Sequence, residues 1–253
     1  MADNAPNNPT ENTTDLESSI SVSGLTFDVA RSVDQAAEAW KLVYNAYRRA
    51  GLIPENPQEL HLVPQAINER TLVALGRIHN VTVSTMSVYI DGPEGLPVES
   101  VYADELNRLR DEGRTLVELG LFADRREHLF RSIDAILELM RFCTHYAVNE
   151  GAVDAVVGVN PRHVPFYTRL LGFEVIGETK SYATVNDFPV VLLHLDWNLK
   201  TAAKRLPRGL AHLANPPIGP EFYANRVRIT PETIANSPIH DYLQVKHDLV
   251  SAM

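Results

Sequence analysis

The feature that most constrains the fold is a strand–helix–strand unit at residues 153–176. Its first part, through Val159, is a short β-rich apolar run typical of a buried strand. Asn160 follows as a helix N-cap, and Pro161 lies in the first helical turn, where a missing N–H costs nothing. Gly172 suits the left-handed position that ends a helix, and another apolar run begins behind it. The sequence therefore predicts an α/β domain around this unit.

Composition sets limits on the class of protein. Of the 253 residues, 45% are hydrophobic and 22% charged, which suits a soluble domain with a sizeable core. The formal net charge of −9 argues against general nucleic-acid binding. No segment has the apolar length of a transmembrane helix. Cys143 is the single cysteine, so no intrachain disulfide can form; we expect a buried structural thiol and a cytoplasmic location.

Changes in composition divide the chain into three parts. Residues 1–23 are rich in Asn, Thr, Ser and acidic side chains, which predicts a disordered N-terminal arm. Residues 24–198 carry the regular apolar patterns and are predicted to form the main domain. Residues 199–253 begin with a basic segment and contain several Pro and Gly breakers. We expect this last part to be an appendage that covers a substrate pocket, mediates dimerisation or remains mobile.

Periodicity within the main domain predicts the order of its elements. The central strand is expected at 115–123, because Glu118 is the one charged side chain in an otherwise apolar run. Other predicted elements are a strand at 25–30, a helix opened by Ser32 and Gln35, a short helical piece from Asn56, a hairpin within 71–89, a helix at 102–112, a helix at 127–150, and two final strands at 175–179 and 190–195.

The helix at 127–150 has an apolar side and a polar side. Apolar side chains recur at helical spacing from Leu129 to Ala147, and this stripe should face the sheet. We expect the opposite side to be solvated; it comprises Arg131, Asp134, Glu138, Arg141 and His145.

The segment Phe166-Tyr167-Thr168-Arg169-Leu170-Leu171-Gly172-Phe173 resembles the last conserved segment of the GNAT acyltransferase superfamily, F-Y-x-x-L-G-F, with one additional residue before Gly-Phe. The resemblance covers about residues 25–197. It implies the GNAT acyltransferase fold, in which helices flank a central mixed, mostly antiparallel sheet. The inserted helix at 102–112 is similar to insertions in autoinducer synthases and in long-chain N-acyl amino acid synthases of the N-acyl tyrosine synthase type. Those relatives take acyl groups from acyl carrier protein.

Two residues are candidates for catalysis. Burial of Glu118 in an apolar strand would raise its pKa towards the range of a general base. The resemblance supports this role, since a Glu on this strand is the usual base in the superfamily; a structural, hydrogen-bonded Glu is the alternative. The resemblance also implies that Tyr167 lies beside the thioester sulfur and protonates the departing thiolate. Its alternative is simple packing with Phe166 against the sheet.

Acyl and pantetheine binding is expected from the backbone. Gly120, Leu121 and Phe122 occupy the region where GNAT strands splay and expose N–H groups, which bind the pantetheine arm and polarise the acyl carbonyl. Asn160 can assist, although capping already explains it.

The loop after the central strand departs from the GNAT pattern. Coenzyme-A-dependent members have a basic residue followed by G-x-G/A, whose N–H groups cradle the pyrophosphate. This chain has no glycine from Ala123 to Arg131. An acyl-phosphopantetheine on a carrier protein has no such pyrophosphate. Arg125, Arg126 and Arg131 would then contact the acidic carrier surface, or would form an ordinary solvated cluster.

The resemblance therefore implies an enzyme that moves a long-chain acyl group from acyl carrier protein to the α-amine of a free amino acid such as tyrosine, with no permanently bound cofactor and no metal. Three alternatives stay open. They are an acyl-homoserine lactone synthase that uses S-adenosylmethionine, a coenzyme-A-dependent N-acetyltransferase, and a non-catalytic GNAT-like protein that binds the carrier. Acyl length, the amino acid and the oligomeric state cannot be read from the sequence.

Overall fold

The computed structural model of the protein describes residues 20–22, 24–125 and 133–251. The strands in this part of the chain are β1 (Ile20–Val22), β2 (Leu25–Val29), β3 (Leu72–Ile78), β4 (Val81–Ile90), β5 (Leu116–Asp124), β6 (Asp154–Val159), β7 (Glu174–Val175), β8 (Lys180–Tyr182) and β9 (Phe188–Asp196). The α-helices are α1 (Val33–Arg49), α2 (Glu99–Asp111), α3 (Ile133–Asn149), α4 (Trp197–Thr201), α5 (Arg208–Ala214), α6 (Pro231–Ile234) and α7 (Pro238–Ser251). None of these helices is long and apolar enough to cross a membrane.

The strands form a mixed sheet in the order β1-β2-β3-β4-β5-β6-β9-β7, with β8 paired to β9 off this path. Strands β5 and β6 run parallel, and each of the other described pairs is antiparallel, so the predicted sheet class is confirmed. The parallel pairing joins Leu116–Glu118 of β5 to Asp154–Val156 of β6 and extends no further. The central strands therefore separate immediately after Glu118.

Helices α1 and α2 cover one face of the sheet. Ser32 accepts a hydrogen bond from the Gln35 backbone N–H at 3.2 Å and caps α1, as the sequence predicts. The apolar stripe of α1 is buried, and Trp40 Nε1 donates to Ser87 Oγ of β4 at 3.3 Å. The short helix predicted from Asn56 does not form; instead the Asn56 side chain bonds both the N–H and the C=O of Leu60.

The other face is covered by α3, and here the expected solvated side of the helix is wrong. Glu138, Arg141 and His145 are all buried. Arg141 Nε donates to Glu138 Oε1 at 3.1 Å, and Arg141 Nη1 donates to the Pro216 carbonyl at 2.6 Å. His145 Nε2 lies 2.9 Å from the Leu213 carbonyl oxygen. The C-terminal segment satisfies these polar groups. Arg131 and the side chain of Asp134 lie outside the described residues.

The C-terminal segment packs against both faces of the sheet rather than standing apart from the domain. It crosses α3 and then reaches α1, where Val227 N donates to the Ala30 carbonyl at 2.8 Å. Its buried apolar side chains belong to both hydrophobic clusters: Leu210, Leu213, Ile218 and Tyr223 on the α3 side, and Ile229, Ile234, Ile239 and Tyr242 on the α1 side. The expectation of a mobile appendage is therefore wrong for the described part of this segment.

The N-terminal arm is shorter than expected. Ile20–Val22 pair with β2 as an antiparallel edge strand, so the prediction of disorder is wrong at these three residues. The remainder of the arm, residues 1–19 and 23, lies outside the described residues. Near the middle of the chain, the predicted hairpin is confirmed as β3–β4, and the predicted helix at 102–112 is confirmed as α2, which begins three residues earlier.

Candidate active site

The site lies where β5 leaves β6 and bends within its own pairing to β4. The β4–β5 register places Ser87 opposite Gly120 but Thr85 opposite Ala123, so Leu121 and Phe122 together face one residue of β4. Leu121 has a positive φ of 47°, which is uncommon for a residue with a side chain. Such a bulge bends a strand and is frequent beside active sites. The edge of β5 beyond Glu118 is thus free of the β6 ladder.

Glu118 is the buried carboxylate at this separation point. Its side chain is 6% exposed, and Oε2 accepts a hydrogen bond of 2.8 Å from the backbone N–H of Val98, at the start of α2. Burial raises the pKa of Glu118 to about 8, opposed by that hydrogen bond and assisted by the negative charge of Glu99. Among the described residues, no cation acts on this carboxylate. The predicted pKa increase is therefore confirmed, while the catalytic role stays a prediction.

Gly120 lies beside the side chains of both Glu118 and Tyr89. A Cβ at Gly120 would stand 3.8 Å from Glu118 Oε1 and 3.4 Å from Tyr89 Cε2, so both side chains border this point of β5. Tyr89 is the direct cross-strand partner of Glu118 in the β4–β5 register. Directly opposed residues in a sheet project from the same face. Tyr89 and Glu118 are thus neighbours on the α1 side of the sheet.

Two further tyrosines, Tyr47 and Tyr182, lie near Glu118, and a third, Tyr167, lies near Tyr47. Tyr47 comes from α1, Tyr182 from β8 and Tyr167 from the helix that follows β6. Burial raises the pKa of Tyr47 to about 12, with smaller contributions from the nearby Tyr167 and Glu118. Burial also raises the pKa of Tyr182, followed by the effect of Glu118. These phenols remain protonated at ordinary pH and can donate hydrogen bonds.

The strand–helix–strand unit positions Tyr167, although its helix differs from the expectation. Asn160 Oδ1 accepts from Arg162 N at 3.2 Å and opens a 3₁₀ turn, after which Phe166–Leu171 form a π-helix. Gly172 ends that helix with φ 80°, as predicted, and its N–H donates to the Tyr167 carbonyl. Short π-helical turns are often found at functional sites. The predicted continuous helix is therefore two shorter turns of different type.

Tyr167 is held by aromatic contacts on two sides. Its ring meets Phe166 and Phe173 edge-on, at centroid distances of 5.1 and 5.5 Å. Burial raises the pKa of Tyr167 to about 12. The packing interpretation of Tyr167 is thus observed directly, and Tyr167 also contributes to the raised pKa of Tyr47, after burial. A chemical role remains compatible with both contacts.

The other predicted residues fall into three groups. Gly120, Leu121 and Phe122 lie in the bulge, with Phe122 half-buried against the α3-side cluster, and Asn160 caps the 3₁₀ turn. Arg125 is exposed just after β5, and its backbone N–H donates to the Val83 carbonyl at 2.9 Å. Arg126 and Arg131 lie outside the described residues. Cys143 is fully buried and burial raises the pKa of its thiol, which confirms the structural interpretation.

Sequence reasoning missed Tyr47, Tyr89 and Tyr182 as site residues. By sequence, Tyr47 lies in the helix predicted from Ser32 and Tyr89 at the end of the predicted hairpin, and neither position indicates a site. The signal for Tyr89 is its register opposite Glu118, which requires knowledge of the strand pairing. Tyr182 carries no local signal at all, because its phenol reaches the Pro97 carbonyl at 3.1 Å from 85 residues away.

Comparison with known proteins places this site in context. The family model described as "N-acyl amino acid synthase FeeM" matches residues 38–196. The solved structure of FeeM, an N-acyl amino acid synthase from uncultured soil microbes, shares 26% identity, covering 69% of this chain and 90% of that chain with a TM-score of 0.61. No curated protein matches the chain.

Two acyl-homoserine lactone synthases show the same fold. LasI has 16% identity, covering 69% of this chain and 89% of that chain with a TM-score of 0.52. The coenzyme-A-dependent synthase BjaI has 13% identity, with 74% and 87% covered, also at 0.52. At these identities the similarity concerns the fold alone.

Proposed function

The chain belongs to the N-acyl amino acid synthase FeeM family, and we propose that it transfers a long-chain acyl group from acyl carrier protein to the α-amine of an amino acid, with tyrosine as the first acceptor to test. The observation that carries this proposal is the position of Glu118. It is a buried carboxylate on which no cation of the described residues acts, at the point where β5 and β6 separate. A thioester between these strands would meet a base and nearby backbone N–H groups.

The chemistry follows from the residues around that point. As the amine nitrogen attacks the thioester carbonyl carbon, it must lose a proton, and ionised Glu118 accepts it. Backbone N–H groups of the Gly120–Phe122 bulge would stabilise the oxygen as negative charge develops on it. The carbon–sulfur bond then breaks, and the leaving thiolate takes a proton from the phenol of Tyr167. An amide and a free thiol result.

The choice of donor depends on the loop after β5. Its sequence lacks the glycines that cradle a nucleotide pyrophosphate in coenzyme-A-dependent GNAT enzymes. A phosphopantetheine arm tethered to a carrier protein does not need that cradle. Exposed Arg125, with Arg126 and Arg131 after it in the sequence, would supply positive charge for an acidic carrier surface in a chain of net charge −9.

The test is a product assay on the full chain. The protein is incubated with palmitoyl acyl carrier protein and a mixture of the free amino acids, and products are identified by mass spectrometry. We expect one or a few N-acyl amino acids, with none from Glu118→Gln. Palmitoyl coenzyme A supplied in parallel should give at least tenfold less product.

Other outcomes would redirect the assignment. Equal or better use of the coenzyme A thioester would contradict the proposed donor. An acyl-homoserine lactone formed only when S-adenosylmethionine is added would contradict the proposed acceptor. If carrier protein binds but no product forms with any acceptor, the proposed reaction is wrong as a whole.

A further inference from the structure

The hydroxyl of Tyr89 is buried and forms no hydrogen bond of normal geometry with the described residues, although the nearby Ser87 hydroxyl partly opposes the rise in the pKa of Tyr89 that burial causes. The Tyr89 side chain is 2% exposed, so bulk water cannot satisfy it. An unsatisfied buried hydroxyl is unfavourable, and buried groups of this kind are rare in folded proteins unless a ligand or an ordered water completes them. Tyr89 is also the cross-strand neighbour of Glu118, so whatever bonds its hydroxyl lies beside the proposed base.

Tyr47 brings a second phenol to the same place. It is seven residues after Trp40 and therefore lies on the same side of α1, two turns further along. Trp40 Nε1 donates a hydrogen bond to Ser87 Oγ of β4, and Tyr89 lies two residues after Ser87 on the same face of that strand. The Tyr47 ring contacts the His61 ring, with 5.1 Å between the ring centroids. Helix α1 thus carries Tyr47 along β4 in the direction of Tyr89.

Tyr47 and Glu118 both act on Tyr89. Burial is the main cause of the raised pKa of Tyr89, and Glu118 and Tyr47 add smaller increases; Glu118 also adds to the raised pKa of Tyr47. No hydrogen bond joins the Tyr47 hydroxyl to another described group. Tyr182, in contrast, already donates to the Pro97 carbonyl. Tyr47 and Tyr89 are therefore the two donors near Glu118 that remain available for a substrate.

We infer that Tyr47 and Tyr89 bind the α-carboxylate of the acceptor amino acid, so that its α-amine lies against Glu118; this inference rests on the function proposed above. The carboxylate and the amine are attached to the same carbon, so a group that holds one places the other close by. A carboxylate accepts hydrogen bonds only, which matches two neutral donors. The acyl carbonyl has its own donors in the backbone of the β5 bulge.

Neutral hydrogen-bond donors at this position also leave the basicity of Glu118 unchanged. An arginine holding the substrate carboxylate would stabilise the ionised form of Glu118 and lower its basicity. Phenols bind the anion without adding a positive charge next to Glu118. The absence of a cation acting on Glu118 among the described residues agrees with this arrangement.

The experiment compares L-tyrosine with tyramine, which lacks only the carboxylate. For each enzyme variant, kcat/KM is measured for both acceptors with palmitoyl acyl carrier protein. Wild type should prefer L-tyrosine. Tyr89→Phe and Tyr47→Phe should each lower kcat/KM for L-tyrosine by about 10- to 100-fold, the size of a lost charge-assisted hydrogen bond, and change tyramine by less than about threefold. The KM for the acyl carrier protein should not change.

The matched control is Tyr44→Phe. Tyr44 lies one turn earlier on α1 and lines a surface groove with Asn45 and Glu59, and no contact recorded among the described residues joins it to Glu118 or Tyr89. This variant should keep wild-type kinetics with both acceptors. Tyr89→Phe removes a hydroxyl that has no hydrogen bond of normal geometry and only Ser87 beside it, so its thermal stability should be close to that of wild type. A clear loss of stability would show a structural role for the hydroxyl and overturn the inference.

Calorimetric titration separates this inference from the proposed reaction. L-Tyrosine and tyramine, and L-leucine and isoamylamine as an aliphatic pair, are titrated into wild type and both Phe variants without any acyl donor. A preference for the amino acid that is lost in Tyr47→Phe and Tyr89→Phe supports the inference even if no turnover is seen. Equal losses for amino acid and amine, or no preference in wild type for either pair, would overturn it.

Discussion

Glu118 and Glu138 are both almost fully buried, at 6% and 2% exposure, but lie on opposite faces of the sheet with different partners. Glu138 contacts Arg141 and His212, so its charge is neutralised between α3 and α5. Glu118 has one backbone N–H, from Val98, and no cation among the described residues. Burial of a carboxylate therefore does not by itself indicate chemistry. The missing countercharge distinguishes a base from a structural ion pair.

The largest predicted effect is on the rate of Glu118→Gln. The amide cannot accept a proton, so kcat should fall by about 10²- to 10⁴-fold, the usual contribution of a general base. The Val98 N–H can still donate to the amide oxygen, so the fold should be retained. Steady-state product formation and circular dichroism test both points. A variant within threefold of wild type would contradict the role of Glu118 as base.

The pH dependence sharpens this prediction. The pKa of Glu118 is about 8, so its ionised, active form increases as pH rises through that value. kcat/KM of wild type should therefore rise about tenfold per pH unit below pH 8 and level off above it. The titratable groups near this carboxylate are Tyr47, Tyr89, Tyr182 and Glu99. None of them is a cation, so none would shift the rise in kcat/KM to lower pH. In Glu118→Gln, the rise of kcat/KM that is due to Glu118 should disappear. The remaining pH dependence should reflect only the ionisation of the acceptor amine.

The second prediction concerns Glu138→Gln. The substitution leaves buried Arg141 without its carboxylate, and breaking such a pair should lower the free energy of unfolding by about 3 kcal/mol. Urea denaturation measures this loss. The folded fraction should keep kcat within about threefold of wild type, because Glu138 lies across the sheet from the site. A rate loss comparable to that of Glu118→Gln would remove the distinction between the two carboxylates.

The third prediction is that Glu118→Gln stabilises the folded protein at high pH, whereas most substitutions of buried residues destabilise it. The folded state keeps Glu118 protonated up to about pH 8, whereas the unfolded chain loses this proton near pH 4. The folded state binds more protons between these values, so the stability due to this group falls as pH rises. Since one pKa unit corresponds to about 1.4 kcal/mol, Glu118→Gln should exceed wild type by about 5 kcal/mol in free energy of unfolding at pH 8.5, and by about 1 kcal/mol at pH 5. A constant difference across pH would contradict the raised pKa.

The smallest effect is expected at Tyr167. Tyr167→Phe keeps the edge-on contacts with Phe166 and Phe173 but removes the phenolic proton. If that proton reaches the leaving thiolate, kcat should fall about tenfold, at the low end of acid catalysis. An acyl thiophenyl ester, whose thiolate leaves without help, should be used equally by both enzymes. An unchanged rate with the acyl carrier protein would mean that Tyr167 only packs.

Local patterns were sufficient for some parts of the site and insufficient for others. Glu118 was identifiable as a lone acid in an apolar strand, and Gly172 as a helix terminator, because both depend on immediate neighbours in the chain. Tyr89 and Tyr47 were not identifiable, since their proximity to Glu118 depends on strand register and on helix placement. The polar side of α3 was misinterpreted for the same reason. Its partners, such as Pro216 and Leu213, are about 70 residues away.

The sequence by itself determined the α/β class, the hairpin, the strand–helix–strand unit and the position of the Glu118 carboxylate in the central strand, because periodicity and capping act over a few residues. Only the tertiary structure decided which carboxylates acquire a countercharge. It also decided that the C-terminal segment belongs to both hydrophobic clusters and that three phenols, those of Tyr47, Tyr89 and Tyr182, lie near Glu118. Those outcomes depend on contacts between distant segments, and desolvation acts on a group only after such contacts exclude water from it.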